Sequence, residues 1–138
     1  MQFSLDHVGV VVRDRDRAVA DYRERFGFEV VADEVLPHLG VRLTYLEGAS
    51  GAPIQLVCPF QPGPLADYLD QHDEGLHHIC LATGDIREAA AALAPGQDIR
   101  FNRGGRDRLA CFLPGATAGV VIELTETEPS FGGPDGQA

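Results

Sequence analysis

The chain has 138 residues, 44% hydrophobic and 23% charged, with a formal net charge of -10. That length and balance suit one globular domain with its own core and exclude a disordered chain. The acidic surface argues against nucleic acid or anionic lipid as a partner, since both need a positive face, but a bound cation would reverse the local field and admit an anionic small substrate.

The three cysteines, Cys58, Cys80 and Cys111, are scattered and form no CxxC pair. Each sits in an apolar run, the pattern of reduced, buried thiols in a cytoplasmic protein. Met1-Gln2-Phe3-Ser4 lacks the basic start, apolar stretch and cleavage site of a signal peptide. No apolar run is long enough to cross a bilayer, so no membrane partner is expected.

In chain order, Leu5 to Val12 is a β-branched run that predicts a strand. Asp14 or Asp16 can cap a helix whose apolar positions are Ala18, Val19, Tyr22 and Phe26, with Tyr22 and Phe26 expected in the core. Gly27 supplies its left-handed stop. Strands follow at Phe28 to Val31, Val41 to Leu46 and Pro53 to Cys58. Pro59 to Pro64 breaks the pattern, and Leu65 to Gln71 reads as a short connecting helix. Leu76 to Ala82 is again a strand, and Asp85 caps an alanine-rich helix through Leu93. Ile99-Arg100-Phe101 reads as a strand, Asn102 to Arg106 as a turn, and Leu109 to Leu113 and Val120 to Leu124 as the last strands. The tail 129–138, with glycines, prolines and nothing to pack, reads as disordered.

The order βαβββ therefore occurs twice, and the halves align residue by residue. D-H-V-G-V matches H-H-I-C-L, so His7 aligns with His78, an offset of 78 − 7 = 71. Asp14 aligns with Asp85 at the same offset, as an equivalent helix cap. I-Q-L matches I-E-L, so Gln55 aligns with Glu123, an offset of 123 − 55 = 68. The expected organisation is an α+β fold, one domain over 1–128, in which two tandem βαβββ modules form a cleft between curved mixed sheets. Module one covers about 3–60, a linker helix about 61–74 and module two about 75–128.

Each half places one polar residue in an apolar first strand and another in its last strand. A buried polar side chain needs a partner. In a duplicated fold, equivalent positions can converge on one cleft. Two imidazoles, a carboxamide oxygen and a carboxylate suit a borderline-to-hard divalent ion and leave two octahedral positions for substrate oxygens. His77 adjoins His78, and strand side chains alternate faces, so only one of the two can face the cleft. Aligning Val8 with Ile79 selects His78. His38 and His72 read as solvated, Gly104-Gly105 as a hairpin turn, and Arg103, Arg106 and Arg108 as a solvated face.

The stretches DHVGVVVRDRDRAVADYRERFGF, PHLGVRLTYLEG, APIQLVCP, GLHHICLATGDI and TAGVVIEL make the chain resemble the vicinal oxygen chelate superfamily. Within it the likeness is greatest to the methylmalonyl-CoA epimerases. It spans nearly all of Leu5 to Glu126. The resemblance implies a divalent metal (Co2+, Mn2+, Zn2+ or Ni2+) held by His7, Gln55, His78 and Glu123. The implied reaction is 1,1-proton transfer at the α-carbon of methylmalonyl-CoA or a similar acyl-CoA, with Glu123 as catalytic base. A homodimer is compatible with such a fold.

Two departures bear on the substrate. Where that family commonly shows H-P-K, this chain has Leu113-Pro114-Gly115, and where some members carry a second glutamate, it has Leu43. The base on the second face is unassigned, with Glu47 a candidate. Two alternatives stay open: another metalloenzyme of the same fold, a glyoxalase-like lyase or dioxygenase, and a small-molecule-binding resistance protein. All four ligand positions being kept, with aromatics at 7% and no tryptophan, places the binding protein last.

Overall fold

The computed structural model describes residues 1–131. They fold as two compact units, one of His7–His77 and the other of residues 1–6 together with those from His78 onward. The elements are β1 (Ser4–Val11), α1 (Arg15–Phe26), β2 (Glu29–Leu36), β3 (Val41–Glu47), β4 (Ile54–Pro59), α2 (Pro64–His72), β5 (Gly75–Thr83), α3 (Ile86–Leu93), β6 (Asn102–Arg103), β7 (Leu109–Phe112) and β8 (Val121–Glu126). The α+β class and the doubled βαβββ order are as expected. No helix among the described residues is long and apolar enough to cross a membrane.

In the His7–His77 unit the strand order is β1-β4-β3-β2. β1 runs parallel to β4, and β4, β3 and β2 are antiparallel neighbours. Asp14 caps α1 by accepting from Arg17 N at 3.1 Å, and Gly27 ends it at φ 73, a conformation only glycine adopts without strain. Val12, Val19, Leu46 and Leu56 form the core under α1, while Val11, Val41, Leu43, Tyr45, Val57 and Leu69 cover the opposite face. The alternation of strand side chains produces these two faces.

Two expectations change in this unit. β2 runs on to Leu36, because Asp33 does not break it. The Asp33 carboxylate accepts from Arg42 Nη2 at 2.6 Å, from Thr44 Oγ1 at 3.0 Å and from Arg15 Nη2 at 3.2 Å, which satisfies the charge inside the ladder. Phe26 is 60% exposed rather than core. It stands on the last turn of α1, and Phe28 takes the inner place against Tyr22, with ring centroids 5.8 Å apart.

The second unit repeats the topology. Its order is β5-β8-β7-β6, with β5 parallel to β8 and the others antiparallel. Asp85 caps α3 by accepting from Glu88 N at 3.0 Å. Ile86, Ala89 and Ala90 pack on Cys111, Ile122 and Leu124. The small residues let the helix lie close to the sheet.

The strand expected at Ile99 to Phe101 is not formed. The ladder starts only at Asn102, just past that stretch, where a hairpin closes by Gly104 N donating to Arg108 O at 2.8 Å. Ile99 and Phe101 still pack, partly buried, against the α3 cluster, and Arg87 lies over the Phe101 ring at 4.6 Å. Apolar character marked burial here without strand pairing. Of the expected tail, Ser130 donates its N–H to Asp107 O at 2.8 Å, and Phe131 lies under Arg103. Residues 132–138 lie outside the described residues.

Arg103, Arg106 and Arg108 do not form a solvated face. Arg106 and Arg108 both bind the carboxylate of Asp6, and Arg103 pairs with Asp107. Asp6 is largely buried, so its charge requires partners, and the arginines bend back to supply them. This clamp ties Asp6 to the second unit.

Candidate functional site

Each unit gathers its own pair of the expected ligands. In the His7–His77 unit, Gly9 of β1 pairs with Gln55 of β4, which puts His7 and Gln55 on one face. Their relative exposures are 3% and 4%. Both touch Tyr45 of β3. Gln55 Nε2 donates to the Tyr45 hydroxyl at 2.9 Å, and the His7 and Tyr45 rings meet edge-on, 5.7 Å apart at 90°. Tyr45 is directly opposite Gln55 in the β3–β4 ladder.

In the second unit, Cys80 of β5 pairs with Glu123 of β8, the register equivalent of Gly9 and Gln55. His78, 4% exposed, places Nε2 3.2 Å from Glu123 Oε1. The His78 ring meets Phe112 edge-on, 5.3 Å apart at 88°. Phe112 in turn is directly opposite Glu123 in the β7–β8 ladder. His77 turns the other way and sets its ring against Tyr68 at 4.7 Å, as strand alternation requires.

Tyr45, Cys80 and Phe112 were not singled out by the sequence reading as neighbours of these positions. The repeat held the signal, since Tyr45 and Phe112 are offset by 112 − 45 = 67, close to the 68 that separates Gln55 and Glu123. Cys80 and Cys111 are buried thiols, as expected, and Cys58 is partly buried. Burial first, then the nearby Glu123 charge, raises the Cys80 thiol above the ordinary range and Cys111 to about 11, so both stay protonated. Burial likewise raises Cys58. Leu43 is buried among Val11, Val57 and Leu69 and carries no proton, while Glu47 is exposed at the end of β3. His38 and His72 are exposed, His72 stacking on Tyr68 at 4.1 Å.

Buried imidazoles, a buried carboxamide and a largely buried carboxylate are costly in an apolar sheet and call for polar partners, some of which the protein itself supplies. Their chemistry fits a divalent cation of borderline-to-hard character. A family model described as the Glyoxalase/Bleomycin resistance protein/Dioxygenase superfamily matches residues 6–112. The chain belongs to that superfamily.

Among superfamily members, the chain is 36% identical over 132 residues to the ethylmalonyl-CoA/methylmalonyl-CoA epimerase of Cereibacter sphaeroides, covering 88% of this chain and 96% of that one. It is similar to the crystal structure of methylmalonyl-CoA epimerase from Mycobacterium tuberculosis, with TM-score 0.80 and 31% identity over 91% of this chain and 88% of that one. A variant of the Streptomyces coelicolor methylmalonyl-CoA epimerase, in complex with 2-nitronate-propionyl-CoA, matches with TM-score 0.79 and 31% identity, covering 88% of this chain and 95% of that one.

Proposed function

We propose that this protein is a divalent-metal-dependent epimerase that moves the α-proton of methylmalonyl-CoA or a similar acyl-CoA from one face to the other. His7, Gln55, His78 and Glu123 would hold the metal. A bound divalent cation supplies a Lewis acid that draws charge from substrate oxygens and so acidifies the α-carbon. What supports the reading most is the pairing of buried His78 with Glu123 in a chain whose similar proteins, over nearly its whole length, include epimerases of this substrate class.

Glu123 takes the α-proton. Its carboxylate is held on β8 beside His78, with little water to compete for it, which suits a positioned base. His78 keeps the carboxylate oriented, and Phe112 closes one side of the imidazole. Inversion also needs a proton delivered to the opposite face. Leu43 supplies none, so that proton comes from a water or from a group such as Glu47.

The test is α-proton washout. Cobalt-loaded protein is mixed with methylmalonyl-CoA in deuterated water, and the α-proton signal is followed by NMR, with His78→Ala as control. Rapid loss with the wild type and none with the variant is the expected result. A wild type that binds cobalt yet leaves the signal intact refutes the epimerase reading.

A further inference from the structure

We infer that Tyr45 is a positioning residue, which selects the end of the Gln55 amide offered as a ligand and steadies the His7 ring; this rests on the reading of His7 and Gln55 as metal ligands. A carboxamide has one end that binds metal, the oxygen, and one that does not, the NH2. The two ends are nearly alike in shape, so packing alone does not choose between them. The hydroxyl of Tyr45 makes the choice by acting as the acceptor of this contact. Gln55 Nε2 donates to it at 2.9 Å, and because the amide is planar, Oε1 is then offered on the other side. Tyr45 is itself 1% exposed and fixed among Val41, Leu43 and Val57, so the hydroxyl has little freedom.

The second unit provides an internal comparison. Phe112 faces Glu123 in its ladder as Tyr45 faces Gln55. It meets His78 edge-on at 5.3 Å, as Tyr45 meets His7 at 5.7 Å. The aromatic ring is therefore kept in both halves and steadies the imidazole in both. The hydroxyl is present only where the last-strand residue is a carboxamide. A carboxylate has two equivalent oxygens and needs no such choice. Packing accounts for the ring at both places, whereas the hydroxyl, present at one, meets the amide there. Groups that orient metal ligands in this way commonly change metal affinity by about tenfold to a hundredfold when removed.

Tyr45→Phe separates the two roles, because it keeps the ring and removes the hydroxyl. Cobalt(II) affinity of the full chain would be measured for wild type, Tyr45→Phe, Gln55→Ala and the double variant. The expected result is a loss of about tenfold or more in Tyr45→Phe, with the double variant no weaker than Gln55→Ala alone. Unchanged affinity in Tyr45→Phe, or fully additive losses, overturns the role of Tyr45 while leaving the metal reading in place. A wild type that binds no cobalt overturns both.

A measurement on the wild type guards against a variant that fails to fold. On zinc loading, the side-chain carbonyl carbon of Gln55 should shift in the NMR spectrum while its NH2 protons stay protected from exchange. An unmoved carbonyl, or NH2 protons that lose protection as zinc enters, refutes the inference.

Discussion

Glu123 is where the proposed proton transfer makes its sharpest demand on one residue. Glu123→Gln keeps the size of the side chain and removes the base, so α-proton exchange is expected to fall by about 10²–10⁴-fold, measured by washout in deuterated water. The proposed mechanism assigns a carboxylate to one face only, because Leu43 carries no proton. Washout from one epimer should therefore outpace inversion, which following both signals in a single reaction would reveal. Equal rates would point to an efficient second acid. Asp33 shows how charge acts on stability rather than chemistry. Its carboxyl is held below the ordinary carboxylate range, first by the Arg42 hydrogen bond and then, against burial, by Thr44 and Arg15. The native state thus binds fewer protons than the unfolded chain just below that range. Its stabilisation is complete above the range and is lost as pH falls through the lowered pKa. Asp33→Asn should lower the melting temperature at pH 7, with the difference shrinking below about pH 4.

The helices were legible because their signals are local. Asp14 and Asp85 each cap a helix from the position the sequence marks, and apolar spacing identifies the buried face. Asp14→Ala and Asp85→Ala should each cost about 1 kcal/mol in urea unfolding, equivalent caps in equivalent modules. A loss at one site alone would mean that the two helices do not contribute alike. Strands were less legible. β2 outran its predicted end because Arg15, Arg42 and Thr44, which neutralise Asp33, come from α1 and β3. The strand expected at Ile99 to Phe101 failed for the opposite reason, as its apolar residues pack against α3 while the ladder starts at Asn102.

For the molecule as a whole, a resident metal would link binding to folding. With a cation present at about a hundred times its Kd, native stability rises by about 2.7 kcal/mol, worth about 10 °C in melting temperature for a chain of this size. Adding a chelator to the cobalt-loaded protein should remove that increment, and His78→Ala should not show it. An equal melting temperature with and without chelator would count against the site. The sequence by itself determined the duplication and the α+β class, and it put forward His7, Gln55, His78 and Glu123 as candidate ligands, because each is written in alternation, spacing and residue type along a short stretch. Only the tertiary structure decided that Tyr45 holds Gln55 and that Asp6 clamps Arg106 and Arg108. Those partners lie 10, 100 and 102 positions apart; strand register brings Tyr45 to Gln55, and the hairpin turn between β6 and β7 brings the two arginines to Asp6.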